Sequence, residues 1–164
     1  MEHELLKDNG KAMRDPVWGY VNLPEPVLSI IDTEDFQRLR NITQLGYVHL
    51  VYPGARHSRF EHSIGVYHLA KQFLSRLLMS DPPLILNDED IRVFVAATLL
   101  HDIGHYPFSH TLEELVPFFV LHEERARQII LDREGPIYSI LQQQFHVEPI
   151  RVANVIDYKN PKAP

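Results

Sequence analysis

The octamer Val93-Phe-Val-Ala-Ala-Thr-Leu-Leu100 runs directly into His101 and Asp102. A stretch this apolar at helical length must be buried, and it carries an imidazole and a carboxylate inward with it. A buried carboxylate is costly unless it is paired or bound to a cation. The fold must therefore supply a partner for Asp102. Asn87 and Asp90 read as an N-cap pair, which predicts a helix over 88–103, ended by Gly104 and Pro107. His101, His105 and His110 fall within ten residues, in a segment too apolar for a solvated face. A lone His-Asp dipeptide is more often a surface pair; this context favours a metal site instead. His62, inside a separate helix, is the candidate third ligand. Imidazole with carboxylate suits Mn, Fe, Zn or Ni, and the chain has no cysteine to offer a softer donor.

The remaining pattern is helical. Ser58-Arg-Phe-Glu61 reads as a capping box, opening a helix with Ile64, Leu69, Phe73, Leu74, Leu77 and Leu78 as its apolar stripe. Asp32 is expected to cap an earlier helix that runs through Phe36, Leu39 and Ile42 and stops at Gly46. Further helices are expected over 121–132 and 137–157, the latter broken near Pro149. Residues 1–26 are expected to form an irregular segment, with a short strand or a pair of them at Trp18–Leu23. Residues 27–158 form the domain and 159–164 a disordered tail. The expected class is all-α. At 164 residues with 45% hydrophobic content, one packed domain is affordable. No apolar run approaches the ~18 residues of a membrane span. The N-terminus lacks a secretory pattern, so the cytoplasm is the default. A net charge of −6 disfavours general nucleic-acid binding but permits a local basic pocket.

Five segments in order carry a family likeness: Asp15-Pro-Val-Trp-Gly, Ile31-Asp-Thr-Glu-Asp-Phe-Gln-Arg-Leu-Arg40, Gln44-Leu-Gly, Pro53-Gly-Ala-Arg-His-Ser-Arg-Phe-Glu-His62, and His101-Asp-Ile-Gly-His-Tyr-Pro-Phe-Ser-His110. Together they resemble the HD superfamily of metal-dependent phosphohydrolases, in its deoxynucleoside triphosphate triphosphohydrolase branch. The resemblance implies an HD-domain helical core. It implies a divalent metal, Mg included, on His62, His101 and Asp102, and a nucleotide substrate. His105, His122 and Glu113 would serve catalysis, with His122 and Glu113 as a proton-transfer pair. Gln44, Leu45, Arg59 and His110 would contact substrate, and Asp32, Gln37 and Arg40 would match a regulatory nucleotide site.

Two departures stand out. Trp18 replaces a histidine common in the family. The family's fourth metal ligand, a downstream aspartate, has no match; Asp157 lies too early by spacing. The chain therefore reads as the truncated first part of a larger enzyme, expected to self-associate as a homo-oligomer. Alternatives are an HD phosphohydrolase acting on another nucleotide, or a catalytically incomplete binding module. Without the family, Arg38 and Arg40 would pass as helix-surface charges and Gln44 as a helix-end residue. His49, His57, His68 and His146 take no role, and His3 is expected to be mobile.

Overall fold

The computed structural model describes residues 3–7, 9–108, 111, 112, 114 and 118–157. An antiparallel hairpin precedes the main helices: β1 (Lys11–Asp15) pairs with β2 (Gly19–Leu23), Met13 opposite Val21. Asp15 shapes the turn, its Oδ1 accepting from the Val17 and Trp18 amides at 2.8 and 2.9 Å. Ahead of it, His3 takes a capping position. Its Nδ1 accepts from the Leu5 amide and caps the short 3₁₀ turn Glu4–Leu6, which buries Leu5 and Leu6. The buried Lys71 donates from Nζ to the Lys7 carbonyl at 2.8 Å, tying this segment to the third helix.

Seven α-helices occur among the described residues: α1 (Glu25–Ile31), α2 (Glu34–Gln37), α3 (Arg59–Leu78), α4 (Asp88–Leu100), α5 (His122–Leu131), α6 (Pro136–Gln143) and α7 (Pro149–Ile156). The mostly helical class with a small stranded N-terminal segment is as expected. Helix α1 was not expected, because Pro24 and Pro26 look like breakers. At a helix start the fixed φ of proline and its missing N–H cost nothing. Asp32 accordingly closes α1, and Thr33 caps α2 by accepting from the Phe36 amide. A 3₁₀ turn, Arg38–Asn41, follows.

The α3 stripe is also shifted. Phe60, Ile64, Tyr67, Lys71 and Leu74 face inward, while Leu69 and Phe73 are 52% and 59% exposed. Hydrophobicity alone could not reveal that Lys71 occupies an inward position with its ammonium on a backbone carbonyl. One core runs from Leu5, Val21 and Phe36 through Ile64, Leu99 and Ile103 to Ile130, Phe145 and Val152. Helix α4 lies at its centre, in contact with α3 and α7. The break before Pro149 separates α6 from α7, with His146 at φ +53°. No helix among the described residues is long and apolar enough to cross a membrane.

Candidate metal centre

The start of α3 is fixed by the capping box expected from sequence. Ser58 Oγ accepts from the Glu61 amide at 3.3 Å, and Glu61 Oε2 accepts from the Ser58 amide and hydroxyl at 2.6 and 2.9 Å. Arg59 and His62 are thereby placed in the first turns. Helix α4 stops at Leu100, three residues earlier than expected, and residues 101–104 form a turn. The reason is a close approach. A Cβ on Gly104 would lie 1.9 Å from the His122 carbonyl oxygen and 2.5 Å from the Ala126 amide nitrogen. Only glycine lets α5 touch the end of α4 backbone to backbone.

His62, His101 and Asp102 converge from these two helix ends, each offering a ligand atom within 4.8 Å of the others. His62 Nε2 and His101 Nε2 are 3.2 Å apart. His101 Nε2 is 3.4 Å from Asp102 Oδ1, and His62 Nε2 is 3.8 Å from Oδ2. Ligands at about 2.1 Å from one ion stand about 3.0–3.4 Å apart at octahedral or tetrahedral angles. The observed spacing is close to that. His101 Nδ1 donates to the Thr98 carbonyl at 2.9 Å, which leaves the Nε2 lone pair facing the cluster.

Asp102 is surrounded by nitrogen. Arg59 donates from Nη1 to Oδ2 at 2.8 Å, with both side chains nearly fully buried. His105 Nε2 lies 3.3 Å from Oδ1. Burial alone would raise the Asp102 pKa. The His105 hydrogen bond and the charges of His101, His105 and Arg59 outweigh it and hold the carboxyl well below the usual range. For His62 and His105 burial wins, and both titrate below the ordinary histidine value despite Asp102. The cluster thus joins an ionised carboxylate to a His62 imidazole that resists protonation, the states a cation requires.

The His105 ring stacks on His122 at 3.9 Å and 15°. His122 Nδ1 is 3.3 Å from Glu123 Oε2. Glu113, the expected partner of His122, lies outside the described residues, as does His110. Gln44 sits beside the α3 N-terminus. The Gln44 amide donates to His57 and the Arg59 amide to Ile42. Gln44 Oε1 is buried with no hydrogen-bond partner among the described residues, and Leu45 is exposed. Of the regulatory trio, Arg40 Nε donates to Gln37 Oε1 at 2.7 Å, and Arg40 lies over the Phe60 ring at 3.5 Å. Gln37 Nε2 donates to the Ile31 carbonyl, beside the exposed Asp32.

Arg38 escapes sequence reasoning. Its half-buried guanidinium donates to the carbonyls of Ile103 and His105, pinning the turn that carries His105. No sequence signal separates such a clamp from a surface arginine.

An HD domain family model matches residues 59–164. A deoxynucleoside triphosphate triphosphohydrolase SAMHD1 homolog of Dictyostelium discoideum is 42% identical over 110 residues, covering 67% of this chain and 21% of that protein. The uncharacterized Bacillus subtilis protein YwfO is 39% identical over 153 residues, covering 92% of this chain and 34% of its own. Among solved structures, a hypothetical protein from Aquifex aeolicus superposes with a TM-score of 0.73 at 41% identity, covering 91% of this chain and 38% of that one. A phosphohydrolase from Bacteroides thetaiotaomicron gives 0.66 at 38% identity, covering 80% and 34%. The matched segment spans between a fifth and about a third of these two curated relatives.

Proposed function

The chain belongs to the HD domain family, and from that premise we propose that it forms the metal-binding part of a hydrolase that splits deoxynucleoside triphosphates into deoxynucleoside and tripolyphosphate. The convergence of His62, His101 and Asp102 carries the reading. The named triphosphohydrolase relatives support the substrate. The three side chains would hold a divalent ion (Mn, Fe, Zn or Ni, with Mg as a further candidate), which supplies Lewis acidity and acidifies a bound water.

The chain's own residues do the rest. Arg59 neutralises phosphate charge from its place beside Asp102. His105 and His122, stacked at the same end of α4, accept the proton of the attacking water and pass one to the departing 5′-oxygen of the deoxynucleoside, with Glu113 or Glu123 orienting the His122 ring. Gln44 Oε1 accepts from a substrate hydroxyl, Leu45 packs against the nucleoside, and His110 contacts substrate. Asp32, Gln37 and Arg40 form a separate regulatory nucleotide site. The exposed Leu50, Val51, Tyr52 and Phe118 support self-association.

A second reading is a metal- or nucleotide-binding module without turnover. It is favoured by the cluster containing three ligand residues among those described, Asp157 not being one. The test is hydrolysis of the four dNTPs with Mn²⁺, following tripolyphosphate and deoxynucleoside separately. The expected result is equal amounts of both products and none with EDTA. Metal binding without turnover selects the module. Release of phosphate from nucleoside monophosphates alone selects another HD phosphohydrolase.

A further inference from the structure

A cleft of about 580 Å³ is lined by α3, by the β1–β2 turn and by the segment that leads into α3. Its apolar wall is Val17, Trp18, Val66 and Leu69, and His62 lies at one end. Trp18 is held in place twice. Its amide donates to Asp15 Oδ1. The edge of its indole lies so close to α3 that a Cβ on Gly65 would be 2.7 Å from Nε1. The ring remains 39% exposed. A preset, half-exposed indole over an apolar wall of this volume suits a small flat ligand.

The polar rim decides what kind. Donors come from Arg56 and His57, acceptors from Asp15 and Glu61. The two carboxylates offset Arg56. The rim therefore offers hydrogen bonds of both kinds without a net positive field, and a bare anion is not drawn to it. We propose that this cleft is a second binding site, taking the nucleobase of an uncharged nucleoside stacked on Trp18. It does not depend on the proposed hydrolysis, and an occupant would lie beside His62.

Trp18 is the chain's one tryptophan, so its fluorescence reports this cleft alone. Deoxyguanosine, deoxyadenosine, deoxycytidine and thymidine are titrated into the protein in EDTA, which prevents turnover. Saturable quenching is expected, tighter for the purines because they stack over more area. Pyrophosphate should give none, and a 5′-monophosphate should bind no more tightly than its nucleoside. By calorimetry Trp18→Ala should weaken deoxyguanosine roughly tenfold or more, while Trp18→Phe retains binding within a few-fold. Quenching that stays linear, as for free tryptophan, would overturn the site. So would unchanged affinity in Trp18→Ala, or preference for pyrophosphate. An emission shift that follows protein concentration instead of nucleoside would assign the cleft to self-association and also overturn it. Because metal is absent throughout, none of these outcomes bears on dNTP hydrolysis.

Discussion

At the scale of the residue, Asp102 carries two obligations. Its burial beside Val93–Leu100 was legible in sequence, and so was the need for a cation. That the cation already present is the guanidinium of Arg59 was not, because 43 positions separate the two. This changes the expected effect of Asp102→Asn. Read as a solitary buried carboxylate, its neutralisation would relieve a cost. Read as one half of a buried ion pair, its loss strands Arg59, whose Nε has no hydrogen-bond partner among the described residues. We expect Asp102→Asn to abolish metal uptake and to lower metal-free stability by about 3–5 kcal/mol. Urea melts in EDTA check this, and Arg59→Met in the same background should recover part of the loss. An unchanged urea midpoint would show that the pair contributes nothing.

Elements reveal what periodicity and capping chemistry can and cannot resolve. The capping box at Ser58 and the Asn87 cap set the starts of α3 and α4 as expected, since both are local side-chain-to-backbone devices. The missed α1, the shifted α3 stripe and the early end of α4 share another cause. Each is settled by a distant segment: the core beneath Val27 and Ile30, the Lys7 carbonyl, and the α5 backbone. Gly104 is the sharpest case, because in sequence it looks like an ordinary helix stop. Gly104→Ala should force α4 and α5 apart and cost about 3 kcal/mol or more, since the obstructing atoms are backbone. The check is a urea melt together with the His105 and His122 imidazole NMR signals. Their ring-current shifts should collapse if the stack opens, and a native-like spectrum would contradict the account.

The whole molecule should be acid-sensitive in the absence of metal. His3, His62 and His105 all titrate below the ordinary histidine value, chiefly because they are buried. The unfolded chain binds protons at these positions near pH 6.5, whereas the folded chain resists until lower pH. Their stabilising contribution is therefore complete above about pH 6.5 and is lost as pH falls through the lowered values. Asp102 acts in a separate window, below about pH 4. In EDTA the urea midpoint should fall between about pH 7.5 and about pH 5.5; equal midpoints would remove the histidines from the balance.

The placing of His62 on α3 and of His101 at the end of α4, 39 residues on, also bears on mechanical integrity. A chain without cysteine has no covalent staple. An ion shared by these two helix ends would be an exchangeable one, closing a long loop only in the folded state. At a free concentration a hundredfold above its dissociation constant it would add about 2.7 kcal/mol. The surrounding metal supply would then set how tightly α3 is fastened to the core.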